Sequence, residues 1–263
     1  MDLGLKDKIA VVLAASSGIG RGIATVLAQE GCNLAICARD EARLDSVASD
    51  ISSATGVEVF AKKVNVADAN SLDEFFDQIL SAYGKFDILV NNSGGPRAGK
   101  CFEFNDQDYQ SACELVLMSK IRACRRAIPV MVKQRWGRVI NVESTSVKSA
   151  LENMILSNTF RSASTAFAKT LSMEYGKEGI RVHTLLAGPF LTNRVHELGA
   201  VAAKIRGISF EQWKKEAEEG SPLGRFGDPL EFGALVAFLA SERSEFMNGT
   251  TIAIDGGTLK TIT

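Results

Sequence analysis

The sequence predicts one doubly wound α/β domain: a parallel sheet of about seven strands with helices on both faces. Three observations carry this. Short apolar runs of strand length alternate with amphipathic helical stretches almost to the end of the 263 residues, which implies βαβ units with right-handed crossovers. The first of these runs, Ile9-Ala-Val-Val-Leu-Ala14, is apolar on both faces, as strands covered by helices on both sides are. No repeat, low-complexity tract or linker divides the chain, and the length suits a single large domain.

The elements follow in order. Strand 9–14 leads through a Gly/Ser turn into a helix over 20–30 that Gly31 closes. Strand 33–38 precedes a helix over 40–55 that Gly56 ends. After strand 57–64, Ser71-Leu-Asp-Glu74 reads as a capping box opening a helix that stops near Gly84. Strand 86–90 follows. Residues 106–135 are helical, as one long helix or two, and Gly137 ends that stretch before strand 138–142. A long helix over 153–176 and strand 180–186 come next. Residues 190–224 are helical but irregular, a helical lid inserted into the domain, and 221–227 read as loop. Asp228-Pro229-Leu-Glu231 is a second start signal, with Asp as N-cap, Pro at the first helical position and Glu two further on. That helix runs to about 240, and 250–254 is the last strand.

Composition excludes several classes. Lys and Arg total 30 against 31 Asp and Glu, a net charge of −1, so no bulk positive field drives nucleic-acid or membrane-surface binding. Five cysteines without CxxC spacing and only two histidines speak against a disulfide framework, a zinc site or any histidine-rich metal site. The first residues are polar and the early apolar run is far too short for a membrane span. The expectation is a soluble, cytoplasmic protein with no metal.

The turn Ala14-Ala-Ser-Ser-Gly18-Ile-Gly20 joins the first strand to its helix. Small residues there let the backbone approach a pyrophosphate, and the helix start supplies amides and a positive dipole end. Five segments then resemble the short-chain dehydrogenase/reductase family, in order and over nearly the whole chain. The turn is similar to its TGxxxGxG fingerprint, with Leu13 and Ala14 where the family has Thr and Gly. Asn91-Asn92-Ser93-Gly94 resembles NNAG. Gly137-Arg-Val-Ile-Asn-Val-Glu-Ser144 resembles the strand that ends in the catalytic serine. Ala187-Gly188-Pro189 to Thr192 resembles the turn that holds the nicotinamide amide, and Asp255-Gly256-Gly257 the family's DGG.

The resemblance implies a Rossmann-like fold, a dinucleotide cofactor, and a homo-oligomer, most often a tetramer, built on the helices over 106–135 and 153–176 and the last strand. It assigns the cofactor to Ala14, Ser16, Ser17, Gly18, Ile19, Gly20, Asn65, Val66, Asn92, Gly94, Gly188 and Thr192. Strand two ends in Ala38-Arg39, where an acidic residue would bond a ribose 2′-hydroxyl. Arg39 pairs instead with a 2′-phosphate, which favours NADP(H) over NAD(H); its alternative is a solvated arginine at a helix start. Asn91 and Asn92 read either as cofactor contacts or as sheet-end structural amides.

At the catalytic end the pattern departs from the family. A tyrosine thirteen residues after the serine is the family's acid, and a lysine four further on orients the ribose. Here those positions hold Ser157 and Arg161, and Val116 stands where the family has a helix asparagine. Ser144, Ser157 and Arg161 are the catalytic candidates. Ser144 donates to a carbonyl oxygen, or merely bonds backbone at a strand end. Arg161 can hold ribose hydroxyls from the same helix face as Ser157 but cannot relay a proton. Lys148, Glu143 and His196 are substitute proton donors, each equally readable as a solvated charge. The reading is an NADP(H)-dependent oxidoreductase acting on a carbonyl, such as a 3-oxoacyl thioester or ketone, or on the matching alcohol, with a non-standard proton donor. The alternative is a non-catalytic dinucleotide-binding sensor or scaffold; a lyase or isomerase without net redox change is a weaker third.

Overall fold

The computed structural model describes residues 1–262. Seven parallel strands form one sheet: β1 (Ile9–Val12), β2 (Asn33–Ala38), β3 (Val59–Lys63), β4 (Ile88–Asn91), β5 (Gly137–Ser144), β6 (Ile180–Ala187) and β7 (Thr251–Ile254). Their order across the sheet is β3-β2-β1-β4-β5-β6-β7. The chain reverses its direction of build between β1 and β4, and in such sheets the ligand crevice opens at the carboxyl ends of the strands flanking that point.

Both faces of the sheet are apolar, so consecutive strand residues enter different cores. Ala10 and Val12 pack under α1 (Gly18–Gln29), α2 (Glu41–Thr55) and α9 (Pro229–Ala240). Ile9 and Val11 pack under α3 (Ala69–Tyr83), α5 (Ser119–Gln134) and α6 (Ile155–Tyr175). The first core is closed by an unusually tight helix pair. A Cβ on Gly22 of α1 would lie 2.4 Å from the Pro229 carbonyl, and one on Gly233 of α9 2.7 Å from that of Gly22. Only hydrogen on those two residues lets the backbones meet.

Helix starts follow side-chain chemistry, with two corrections to the sequence reading. Asp228 and Glu231 form the expected reciprocal cap at Pro229, with Glu231 Oε2 accepting from the Asp228 amide at 2.8 Å. In contrast, α3 opens at Ala69 rather than at Ser71. The Asp68 carboxylate accepts from the Ser71 amide at 2.9 Å, while the Ser71 hydroxyl turns back to accept from the Asn65 amide at 3.3 Å. A carboxylate is the stronger acceptor at a helix start, and Ser71 becomes its N3 residue. The stretch before β5 divides into α4 (Asp106–Cys113), a π-helical turn at Glu114–Met118, and α5. Arg135, at φ 56°, closes α5, and Gly137 is already the first residue of β5.

Residues 190–224 form two helices, α7 (Asn193–Arg206) and α8 (Phe210–Glu219). They pack through Gly199, whose added Cβ would lie 2.2 Å from the Trp213 ring. Among the described residues no helix is long and apolar enough to cross a membrane.

Candidate active site

The turn after β1 is shaped by absent atoms. Ala14 takes a left-handed φ of 53° and Gly18 one of 54°. Ala14 therefore bears a strain that a glycine would not. A Cβ on Gly20 would lie 2.3 Å from the Ala14 carbonyl oxygen and 2.7 Å from Asn92 Nδ2. That carbonyl accepts from Asn92 Nδ2 at 3.2 Å, which ties the loop after β4 to the turn. Ser17 precedes α1 in extended conformation, yet its hydroxyl caps nothing. The first-turn amides of α1 thus carry no side-chain partner, the arrangement that binds an anion.

Three segments close around this helix start. A Cβ on Gly18 would lie 3.1 Å from Thr192 Cγ2, so the turn after β6 faces the turn after β1 directly. Gly188 presses on Asp255, where a Cβ would lie 2.5 Å from the Asp255 Cα. Thr192 caps α7. From the second residue of that helix, Arg194 donates to the Pro96 carbonyl at 2.8 Å and bridges to the loop after β4. Ser16 and Ile19 are half-buried in the turn and Gly94 is exposed in the loop. Arg39 is exposed at the end of β2, while its neighbour Asp40 is engaged in capping α2 through the Arg43 amide at 3.1 Å. Asn65 accepts from the Ala67 amide at 3.2 Å beside buried Val66. Asn91 is structural: fully buried, it donates to Asn141 Oδ1 at 3.0 Å and to Cys124 Sγ at 3.2 Å.

At the other end of the cleft Arg161 and Ser157 meet on α6 and two more residues, Lys120 and Glu143, join them, Glu143 being the chain neighbour of Ser144. Ser144, the last residue of β5, accepts from the Ser146 amide at 3.1 Å, leaving its hydroxyl hydrogen free. Ser157 and Arg161 share a face of α6, and Arg161 Nε donates to Ser157 Oγ at 3.2 Å. Arg161 Nη1 donates to Glu143 Oε2 at 2.9 Å and to the Val142 carbonyl at 3.3 Å. From α5, Lys120 pairs with the other Glu143 oxygen and donates to the same Val142 carbonyl at 3.2 Å. The Lys120 and Glu143 side chains are 1% and 0% exposed. Burial pushes the Lys120 ammonium down to about 8; Glu143 opposes that shift and Arg161 adds to it.

Two cations therefore share one carboxylate beneath the catalytic candidates. The guanidinium is anchored through Nε and Nη1, while its Nη2 donates to no described residue. Ser157 is 2% exposed, below the cleft surface rather than in it. Lys120 was not legible as a site residue from motif spacing. Its signal was a lysine on the apolar face of α5, four residues beyond fully buried Val116. Glu143, weighed as a proton donor, is instead ion-paired through both oxygens. His196 is exposed and stacks on Phe210 with ring centroids 4.9 Å apart, and Lys148 is exposed.

A seven-stranded parallel sheet, a glycine-shaped turn at its switch point and a serine at the end of β5 define a Rossmann-like nucleotide-binding fold, and the chain belongs to the short-chain dehydrogenase/reductase family. Residues 13–258 match the family model described as Enoyl-(Acyl carrier protein) reductase. The chain is 31% identical over 254 residues to the 3-oxoacyl-[acyl-carrier-protein] reductase FabG of Staphylococcus epidermidis, covering 95% of this chain and 98% of that protein. L-Sorbose reductase from Gluconobacter frateurii, solved with NADPH and L-sorbose, superposes with a TM-score of 0.95 at 32% identity, covering all of both chains. YwfH, an NADPH-dependent reductase involved in bacilysin biosynthesis, superposes with a TM-score of 0.93 at 29% identity, over 98% of this chain and 100% of that one.

Proposed function

We propose that this protein is an NADP(H)-dependent reductase of small carbonyl compounds, a ketone or a 3-oxoacyl thioester, whose proton comes from water rather than from a side chain. The observation that carries the reading is the α1 start, uncapped by any side chain and opposed by Thr192 across a gap that a Cβ on Gly18 would narrow to contact. A pyrophosphate fits that cradle. The 14–20 turn would hold it through backbone amides, Asn92 and Gly94 would line its path, and Thr192 would meet the nicotinamide amide. Arg39 has no ion-pair partner among the described residues and would take a 2′-phosphate, where an acidic residue would repel it.

The bound cofactor supplies hydride. Ser144 directs its free hydroxyl hydrogen to the substrate oxygen and polarises the carbonyl. Ser157 is a far weaker acid than a phenol and the guanidinium of Arg161 donates to it, so it passes no proton at working pH. A missing general acid costs ~10²–10⁴ in rate, yet positioning of donor and acceptor alone is worth up to ~7–11 kcal/mol, so hydride transfer remains accessible. In this reading α7 and α8 are the substrate lid, latched through Arg194. The protein works in the cytoplasm, where its five free thiols stay reduced, and as a homo-oligomer through the α6 face that leaves Met173 exposed.

A second reading, a non-catalytic dinucleotide sensor, draws on the burial of Ser157. NADPH absorbance with a panel of ketones, 3-oxoacyl thioesters and sugars separates the two. Turnover with any of them supports the enzyme; tight NADPH binding without turnover supports the sensor; no binding of either nucleotide overturns both.

A further inference from the structure

The Lys120–Glu143–Arg161 cluster holds more charge than it balances. Its three members come from α5, β5 and α6, so it is assembled only by the tertiary fold. Lys120 and Arg161 each take one oxygen of Glu143, and both also donate to the Val142 carbonyl. With one carboxylate between two cations, one positive charge is uncompensated in a region where water screens little. Burying such a charge is costly. The guanidinium points toward where the compensation comes from. Its Nε and Nη1 are held by Ser157 and Glu143, whereas Nη2 donates to nothing among the described residues. Arg161 keeps 11% of its side chain exposed while Lys120 and Glu143 keep almost none. What solvent exposure the cluster retains therefore belongs to Arg161, the one member with an unused donor edge.

We propose that Arg161 is a fixed cation that stabilises the substrate oxyanion at the place where a proton donor is lacking, with Glu143 and Lys120 as the positioning residues that hold its guanidinium. This rests on the reductase reading above. When hydride adds to the carbonyl carbon, the C–O π pair moves to oxygen, NADPH becomes NADP⁺, and the alkoxide is held by Arg161 Nη2 and the Ser144 hydroxyl. Water then protonates the alkoxide, giving the alcohol and hydroxide. Arg161 keeps its own proton throughout, consistent with a guanidinium that cannot be deprotonated at working pH. Glu143 holds Nη1 and Ser157 holds Nε, so that the remaining edge is fixed in advance and costs no reorganisation as charge develops.

The test uses the full chain with NADPH and NADP⁺, and 4-nitrophenol as an oxyanion probe. Arg161→Met leaves Lys120 and Glu143 as a balanced pair, so the fold is expected to survive. The proposal expects a ~10²-fold fall in kcat, the size of losing one oxyanion donor, with NADPH affinity within about twofold of wild type, and Arg161→Lys recovering part of the loss. Bound to the wild-type NADP⁺ complex, 4-nitrophenol should ionise at least ~10-fold more readily than in water, read from its phenolate absorbance, and Arg161→Met should abolish that gain. The double variant Lys120→Met/Glu143→Gln keeps Arg161 and the same net charge but removes its anchor. It should lower kcat ~10-fold with little change in KM and weaken the phenolate signal.

Three results overturn the proposal: a ~10-fold or larger loss of NADPH affinity in Arg161→Met, which would assign Arg161 to the ribose; equal probe ionisation in wild type and Arg161→Met; or no phenolate bound by an enzyme that turns over. Wild type that fails to bind NADPH at all would instead remove the reductase reading, and this proposal with it.

Discussion

The turn after β1 and the floor between β5 and α6 lie at the same carboxyl end of the sheet, but they are shaped by opposite means. In the turn, the determinants are missing atoms: glycines at 18 and 20, a small residue in left-handed conformation at 14, a helix start left uncapped. Between β5 and α6 the determinants are added charges, converging from three elements on one buried carboxylate. The first region should be intolerant of volume and indifferent to remote charge. The second should be intolerant of any change in charge balance. A binding site made of absences is specified locally, and one made of charges only by the whole fold.

The largest expected effect tests the volume side. Gly20→Ala places a methyl 2.3 Å from the Ala14 carbonyl oxygen, a backbone atom that cannot rotate away. Stability should fall by roughly 3 kcal/mol, and NADPH affinity at least ~100-fold, by thermal denaturation and fluorescence titration; a protein that binds as wild type would break the comparison.

Next comes a control that belongs to neither region. His183 is buried on β6, bonded through Nδ1 to Thr250 Oγ1 at 2.7 Å with no partner for Nε2. Burial, with Arg138 and Arg181 nearby, pushes it down to about 4. Its folded value lies below its unfolded one, so only the unfolded chain takes a proton as pH drops from 6.5. Stability should fall by roughly 3 kcal/mol between pH 6.5 and about 4, and should be unaffected by this group above pH 6.5. Urea melts across that window check it, with His183→Gln flattening the slope.

The charge side has its own test in Ser157→Tyr with Arg161→Lys, which places in α6 the tyrosine and lysine that the family resemblance expects there. Ser157 is buried against Arg161, so a phenol overpacks the floor. The pair should cost about 1–3 kcal/mol and give no gain in carbonyl reduction; a gain of ~10²-fold or more would mean the floor is a decayed version of the family's site. The smallest effect is at the rim. Arg39→Ala should reduce the preference for NADPH over NADH about tenfold, measured by calorimetry with both nucleotides, and equal wild-type affinity for the two would remove the assigned role.

The same contrast explains what could be read from the sequence. Strands, their order along the chain and the glycine turn follow from patterns within about ten residues, so they were legible. Choosing between Asp68 and Ser71 as the start of α3 was not, because both are good N-caps and the winner depends on Ser71 bonding back to Asn65. Glu143 reads as a proton donor or a solvated charge, and Lys120 draws no reading at all. A glutamate before the last residue of an apolar strand and a lysine on the apolar face of a helix both break pattern, but neither names its partner. Their meeting depends on β5 lying beneath α5 and α6 at once, a contact that no spacing rule encodes.

The glycine-to-glycine approach of α1 and α9 also governs how this chain can be made. Ile23 and Leu27 of α1 share their core with Phe232 and Val236 of α9, more than 200 residues further on. While the ribosome is still adding the middle of the chain, that face of the sheet has α1 and α2 but lacks the cover of α9, and the apolar side chains α9 would bury stay available to other molecules. Contacts so distant in sequence close slowly, and exposed half-cores of this kind are where aggregation begins. The packing of the first helix is thus completed only when the last one has been made.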